Sequence, residues 1–162
     1  MTEQGLTPIS QNAHDRLVQE LADREGPIRT EIKNKIETAR EEGDLKENGG
    51  YHAAREEQGK NEARVRQLKH LLENSPVAAP NPTPMKAEVL TIVTISIPAW
   101  EEEETFLLGS REETPPEGLE VYSPDSPLGG AVVGTGIGET CSYEVNGKRI
   151  ELEILGVAPY SP

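Results

Sequence analysis

Two polar segments of the chain carry apolar or small residues at helical spacing, and the match between these two series limits the possible folds. The first series is Ile28, Ile32, Ile36 and Ala39, and the second is Ala54, Gln58, Asn61, Val65, Leu68 and Leu72. Steps of three and four residues place each series on one face of a helix. If the chain folds back between Lys46 and Glu47, Ala39 meets Ala54 and the rest of the two faces align. The pattern predicts an antiparallel helical hairpin over residues 1–75, with its tip at residues 43–50.

The predicted tip carries two carboxylates, Asp44 and Glu47, directly after Gly43. One interpretation is structural: Asp44 is the N-cap of the second helix and Glu47 completes a capping box at its third position. The other is functional: an exposed tip presents both carboxylates to a partner. The spacing fits both interpretations. In either case Gly43 is expected to end the first helix.

Charge and composition exclude several classes of function. Of the 162 residues, 34% are hydrophobic and 28% are charged. This hydrophobic fraction is low for a single compact core, but it fits a protruding hairpin with most of its surface in water. The net charge is −13. Such a chain is not expected to bind free duplex DNA by neutralising phosphates, and a partner with basic or mixed surface is expected instead.

The chain is expected to be a soluble, cytoplasmic protein without disulfides. Cys141 is its only cysteine, so no pairing within the chain is possible. It has no charged-then-apolar leader, and no apolar run approaches the roughly 18 residues that a membrane span needs.

The rest of the chain divides at a proline-rich stretch. Before the hairpin arms, residues 1–9 are expected to be a tail. Ser10 is the expected N-cap for a helix through Arg24, and Gly26-Pro27 predicts a kink or short break.

After the arms, residues 76–84 are predicted to be a semi-rigid linker. The β-branched pattern then predicts a small, mainly antiparallel β-domain with one short helix over residues 85–162, making the fold class α+β. The predicted elements are strands at 89–97, 105–108, 119–122, 140–145 and 149–157, an exposed loop at 101–104, a helix from Pro127, and a hairpin turn at Asn146-Gly147.

Residues 43–59, GDLKENGGYHAAREEQG, resemble the tip and second arm of the GreA/GreB family of bacterial transcript cleavage factors. The stretch from Tyr122 to Leu128 is similar to a second family segment, and with the arm lengths the resemblance covers nearly the whole chain. It implies that the β-domain is the FKBP-like, polymerase-docking domain of these factors. The chain departs from many family members at Gly49-Gly50, where they have Ala-Glu. This departure is expected to loosen the tip and removes a carboxylate of the second arm.

The resemblance implies an elongation factor that stimulates another enzyme and is not itself one. The hairpin would enter the secondary channel of RNA polymerase and stimulate the polymerase's own Mg²⁺-dependent cleavage of backtracked RNA, rescuing arrested complexes. Asp44 would help hold an Mg²⁺ shared with the polymerase, Glu47 would position water or metal, and Asn48 would support them. Two carboxylates alone hold Mg²⁺ weakly, which fits a site completed by a partner.

The resemblance also implies contacts away from the tip. Arg55 and Arg64 would lie near the RNA 3′ end, although a charged run on a helix is commonly only a solvated face. Polymerase binding is expected from Ser123, Asp125, Ser126 and Pro127, whose alternative role is a tight turn that caps the short helix. Tyr51 and His52 are expected to pack and orient the tip.

Further expectations concern partners and alternatives. The protein is expected to be a monomer, associated with the nucleoid through polymerase; DNA binding is a family-level property not expected for free DNA. One alternative function is an inhibitor that occupies the channel without supporting cleavage. The other is a chaperone or prolyl isomerase, which the few and scattered aromatic residues disfavour.

Overall fold

The computed structural model describes residues 6–43 and 47–162, which form two units. One unit is helical and comprises Asp15–Asn74; the other comprises residues 6–14 together with Ser75–Pro162 and contains the β-sheet. The predicted α+β fold class, a helical hairpin followed by a small β-domain, is confirmed. Within the described residues, no helix is long and apolar enough to cross a membrane.

The first arm is one unbroken run of helix. Helix α1 spans Gln11–Asp23, a π-helical turn spans Arg24–Ile28, and α2 spans Arg29–Glu41. Ser10 caps α1, because its Oγ accepts a hydrogen bond from the Ala13 N–H at 3.1 Å. Of the two outcomes predicted at Gly26-Pro27, a kink or a short break, the break is wrong, and the irregularity found there is a π-helical turn. The wider π-turn accommodates the ring and the missing N–H of Pro27 without ending the helix.

The second arm, α3 at Gly49–Asn74, packs against α2 in the predicted antiparallel direction. The predicted register is wrong, because a fold-back between Lys46 and Glu47 would place Asn61 opposite Ile32, whereas Asn61 bonds Arg24. The buried residues of both helices all belong to the two sequence series: Ile32, Ile36 and Ala39 on α2, with Ala54, Asn61, Val65 and Leu68 on α3. Ile28, Gln58 and Leu72 of these series are only partly buried. Between α2 and α3, ion pairs join Arg29 to Glu62 at 2.7 Å and Lys35 to Glu57 at 3.3 Å. Residue numbers fall along one arm as they rise along the other, as an antiparallel pair requires.

Asn61 is a polar residue buried within this otherwise apolar interface, with 3% of its surface exposed. Its amide bonds Arg24 twice: Nδ2 donates to the Arg24 carbonyl and Oδ1 accepts from the guanidinium, both at 3.1 Å. Arg24 begins the π-helical turn, so Asn61 supplies a hydrogen-bond donor to backbone in this irregular turn. A single buried, satisfied Asn of this kind specifies the register of paired helices.

In the described part of the chain, the β-unit is built on five strands in the order β3-β2-β1-β5-β4. Their bounds are β1 Thr91–Ile97, β2 Glu102–Leu108, β3 Glu120–Tyr122, β4 Thr140–Val145 and β5 Lys148–Pro159, with α4 at Pro127–Val132. All neighbours pair antiparallel except β2 and β3, which are parallel. Asn146 and Gly147 both have positive φ, 50° and 77°, as the predicted hairpin turn requires.

The sheet packs its main core on one face, and β1 accordingly alternates between buried and half-buried residues. On one face Val93, Ile95 and Phe106 pack in a core that includes α4 through Leu128 and Val132. A smaller cluster contains Leu90, Leu107 and Tyr160. The expectation of an exposed loop at residues 101–104 is wrong for Glu102 to Glu104, which begin β2 and pair with β1. Their side chains are exposed or half-buried, so strand pairing tolerates the charges.

The residues before α1 belong to the β-unit. Ile9 is fully buried and forms a parallel bridge with Val77, so it is not part of a free tail. Beside it, the Glu113 carboxylate accepts from Ser10 N at 2.8 Å and from Ser10 Oγ at 2.6 Å. Glu113 is only 5% exposed, and these charge-assisted bonds offset the cost of burying it.

Candidate functional site

The first arm ends as the sequence predicts, at a glycine. Helix α2 stops at Glu41, the Glu42 N–H bonds the Ala39 carbonyl at 3.2 Å, and Gly43 follows with φ of +133°. This backbone conformation is one that side chains with a Cβ rarely adopt. The turn at the tip therefore depends on glycine at position 43.

The cap of the second arm is Asn48. Helix α3 begins at Gly49, and Asn48 Oδ1 accepts a hydrogen bond from the Tyr51 N–H at 3.0 Å. The alternative in which Asp44 is the N-cap and Glu47 the third helical residue is therefore wrong, because the helix starts four residues later than that interpretation needs. Glu47 precedes the cap and takes no part in it.

Glu47 is the one predicted tip carboxylate that the structure describes. Its side chain is exposed, and no hydrogen bond or ion pair joins it to another residue of the described ranges. Asp44, the other predicted carboxylate, lies outside the described residues. A solvated carboxylate at this position keeps both oxygens available for a cation or a water molecule.

Arg40 and His52 both pack against Tyr51 at the helical ends next to the tip. Tyr51 packs partly against the hairpin core of Ile32, Ile36 and Ala54, and the Arg40 guanidinium lies 5.9 Å from the centre of its ring. The rings of His52 and Tyr51 pack in an edge-to-face arrangement, with centres 5.6 Å apart. Tyr51 thus has the packing role that was predicted.

The two predicted RNA-proximal arginines differ in their surroundings. Arg55 is exposed and its one described hydrogen bond runs to Gln58 on the same helix, at 2.7 Å. Arg64 is half-buried and bonds both carboxylate oxygens of Glu20, each at 2.9 Å. Arg55 is therefore the freer of the two, while Arg64 also links α1 to α3.

Glu20 forms ion pairs with two arginines of the hairpin, Arg24 and Arg64, and the sequence did not predict this role. Hydrogen bonds from Arg64, and after them a bond from Arg24 at 2.7 Å, lower the pKa of the Glu20 carboxyl to about 2 against the opposing effect of burial. The carboxylate stays ionised at all ordinary pH values. A signal was present in the sequence, since Glu20 and Arg24 are spaced i, i+4 on one helix face.

In the β-unit, the residues from Ser123 to Pro127 form a tight turn that leads into α4. Ser126 is its N-cap: Oγ accepts from Gly129 N at 3.1 Å and donates to the Ser123 carbonyl at 2.6 Å. Pro127 occupies the first helical turn, and Asp125 is exposed. The capping alternative thus holds for Ser126, and it leaves the Asp125 side chain exposed on the surface.

Tyr122 fixes the start of this segment. Its hydroxyl donates to Glu104 Oε1 at 2.7 Å, and its ring packs edge-on against Phe106 with centres 4.9 Å apart. The bond to the Glu104 carboxylate, helped by burial, raises the pKa of Tyr122 to about 12. The phenol therefore remains a protonated hydrogen-bond donor.

Metal binding was predicted only for a site shared with a partner. Residues 6–43 and 47–162 contain no group of three or more Asp, Glu, His or Cys side chains placed to hold a metal ion. Glu47 supplies hard carboxylate oxygens, the donor type that Mg²⁺ prefers. The shared Mg²⁺ site stays a prediction.

Comparison with known proteins assigns both units of the chain. A family model described as the N-terminal part of transcription elongation factors matches residues 7–77, and one for the GreA/GreB C-terminal part matches residues 82–159. The chain is 48% identical to "Transcription elongation factor GreA" of Streptomyces coelicolor over 163 residues, which covers 99% of this chain and 98% of the relative. It is 45% identical to the protein of the same name from Mycobacterium tuberculosis H37Rv, covering 99% of each.

Solved structures similar to the chain are more distant. GreA factor homolog 1 (Gfh1) of Thermus thermophilus is 20% identical, with 93% of this chain and 97% of that chain covered and a TM-score of 0.43. The GreA/GreB elongation factor from Nitrosomonas europaea is 21% identical, with 58% and 78% covered and a TM-score of 0.39. The assignment rests on the family models and the full-length relatives: the chain belongs to the GreA/GreB family of transcription elongation factors.

Proposed function

We propose that this elongation factor binds RNA polymerase, inserts its hairpin into the secondary channel and stimulates the polymerase's intrinsic cleavage of backtracked RNA. The RNA polymerase and the RNA 3′ end are its partners, and the factor acts without a complete nuclease site of its own. Cleavage would release an arrested complex to resume elongation.

The exposed carboxylate of Glu47 is the observation that supports this proposal most. It lies at the junction between the two helical arms, one residue before the cap of α3, and has no partner within the described residues. A carboxylate with a purely structural role would be expected to cap the helix, but Asn48 does so instead. Glu47 is therefore available to a partner.

The proposed metal is Mg²⁺, shared between Asp44 and Glu47 of this chain and groups of the polymerase. Hard oxygen donors without nearby histidine or cysteine ligands fit that ion. When bound there, it would activate water and stabilise the leaving oxygen of the phosphodiester. The chain's own contribution would be to add negative charge through Asp44 and to orient water through Glu47.

Two other surfaces have supporting roles in the proposal. Arg55, exposed on α3 within the tip-proximal half of the arm, would approach the RNA backbone, with Arg64 behind it. The turn from Ser123 to Pro127, with Asp125 exposed, would contact the polymerase at the rim of the channel. A rigid, capped turn reduces the entropy lost on docking.

The test is cleavage of RNA in a backtracked elongation complex with wild type, Asp44→Asn and Glu47→Gln. We expect rapid cleavage with wild type. Each variant should lose about 10²-fold or more in maximal rate, since each removes a carboxylate proposed to act at the reacting phosphate. The concentration of factor needed for half-maximal effect should change little.

Glu42→Gln is the matched control, because Glu42 is an exposed acid near the tip at the C-cap of α2. It makes the same change of charge and should retain cleavage within about twofold. Inhibition of transcription by wild type without cleavage would favour the channel-blocking alternative. Equal cleavage by wild type and by the Asp44 and Glu47 variants would contradict the proposed roles of both carboxylates.

A further inference from the structure

The Asn48 side chain joins the two arms of the hairpin at the tip. While its Oδ1 caps α3 through the Tyr51 N–H at 3.0 Å, its Nδ2 donates to the Ala39 carbonyl in the last turn of α2 at 2.6 Å. Ala39 is itself 6% exposed, so the accepting backbone belongs to the packed part of the arm. One half-buried amide thus connects the end of one helix with the start of the other.

Only an amide performs both tasks in this geometry. Capping needs an acceptor aimed at Tyr51, and the bond to Ala39 needs a donor on the same group. Serine and aspartate are equally good caps. A carboxylate has no proton for the Ala39 carbonyl, and a serine hydroxyl is too short to span both partners at once.

The bond to Ala39 also closes the tip into a loop. Residues 40–47 lie between its two ends, and Glu47 is covalently attached to Asn48. Cation–π contact between Arg40 and Tyr51 adds a second link across the same two helical ends. The side chain of Glu47 is therefore exposed, while the backbone of the next residue, Asn48, is held in place by the Asn48 hydrogen bonds.

From these contacts we infer that Asn48 is a positioning residue: its bond to the Ala39 carbonyl fixes the backbone next to Glu47, from which the Glu47 carboxylate projects. This inference rests on the proposed function and specifies how the tip is preorganised for it. Groups that orient metal-binding or reacting side chains typically contribute 10- to 100-fold in metal affinity or activity.

The deciding variant is Asn48→Ser, which keeps a good cap and introduces no charge while removing the bond to Ala39. We expect its maximal cleavage rate to fall by about 10- to 100-fold, and the Mg²⁺ concentration for half-maximal cleavage to rise by about tenfold. The factor concentration for half-maximal effect should stay within about twofold. Asn74→Ser is the matched control, since Asn74 bonds the His70 carbonyl in the last turn of the same helix. It should behave as wild type.

A second measurement needs no polymerase. In the free protein, the ¹⁵N order parameter of the Glu47 amide should fall from about 0.85 towards 0.6 in Asn48→Ser and in the isosteric Asn48→Asp, with far-UV circular dichroism unchanged. An unchanged order parameter in both variants would overturn the inference. A lower order parameter of the Glu47 amide in these variants, together with an unchanged cleavage rate, would overturn the positioning role alone and leave the proposed function intact. Absence of cleavage with wild type would overturn the proposed function and, with it, this role.

Discussion

At the scale of single residues, Gly129 shows how closely the turn before α4 is packed. A Cβ at this position would lie 1.9 Å from the Ser123 carbonyl oxygen and 2.9 Å from Ser126 Oγ. The first contact is with backbone that cannot rotate away. We expect Gly129→Ala to lower the free energy of unfolding of the β-unit by about 1–3 kcal/mol. Urea unfolding followed by the fluorescence of Trp100, the only tryptophan, measures this.

Gly59→Ala is the companion variant for this prediction. Gly59 is an exposed residue within α3, and a Cβ there meets nothing within 4 Å. The same methyl group should raise helix stability by about 0.5–1 kcal/mol, because alanine loses less backbone entropy than glycine. A Gly129→Ala protein as stable as wild type would mean that the turn relaxes without cost.

Asn48 also shows why the candidate site was only partly predictable. The carboxylates and the glycine at the tip were identified from residue type, but Asp44 and Asn48 are both good caps and local spacing does not choose between them. Asn48 gains a second bond to Ala39, nine residues earlier in sequence. That contact exists only after the arms have packed, so it is a tertiary effect that local sequence does not encode.

At the scale of elements, the helices with regular apolar spacing were predicted well, whereas segments with irregular backbone were not. The antiparallel direction of the two arms was predicted, and the cross-arm pairs Arg29–Glu62 and Lys35–Glu57 agree with it. The exact register was not predicted, since Asn61 bonds Arg24 and does not lie opposite Ile32. The π-helical turn was missed because Pro27 normally interrupts a helix, and the compensating bond to Arg24 comes from Asn61, far along the chain. Acidic residues disfavour strands locally, so the pairing of Glu102 to Glu104 with β1 was also missed.

The link between α1 and α3 should make hairpin stability depend on pH. Because the folded state lowers the Glu20 pKa from 4.5 to about 2, the stabilisation is complete above pH 4.5 and is lost as pH falls towards 2. Glu20→Gln should therefore be less stable than wild type at pH 6, and the difference should vanish near pH 2. Thermal unfolding followed by far-UV circular dichroism across this pH range measures it.

Glu56→Gln is the control for the Glu20 prediction. Glu56 pairs with Lys60 on the surface of α3, where both side chains are well exposed, and such pairs contribute little. The Glu56→Gln variant should be as stable as wild type at every pH. A constant difference between wild type and Glu20→Gln down to pH 2 would show that packing, and not the charge of Glu20, stabilises the hairpin.

At the scale of the whole molecule, charge is divided unevenly between the helical and β regions. Residues 1–75 hold 12 Lys and Arg against 15 Asp and Glu, a net charge of −3, whereas residues 76–162 hold 4 against 14, a net charge of −10. Much of the positive charge on the hairpin is already paired, as for Arg29, Lys35, Arg64 and Lys69. These four basic residues thus lie beside carboxylates that neutralise part of their charge.

This distribution predicts that the protein has no useful affinity for free duplex DNA. Non-specific binding at physiological salt, with dissociation constants of about 10⁻⁴ to 10⁻⁶ M, comes from Lys and Arg that neutralise phosphates, and here the intramolecular carboxylates compete for them. In an electrophoretic mobility assay at about 50 mM salt, we expect no shifted duplex at protein concentrations up to about 10⁻⁴ M. A triple Glu25→Gln, Glu57→Gln, Glu62→Gln variant removes the cross-arm partners of Arg29, Lys35 and Lys69, although Lys35 keeps Glu31 at 3.6 Å. This variant should bind more tightly than wild type. Tight, salt-sensitive binding by wild type would contradict the charge argument and indicate a cationic surface that these ion pairs do not neutralise.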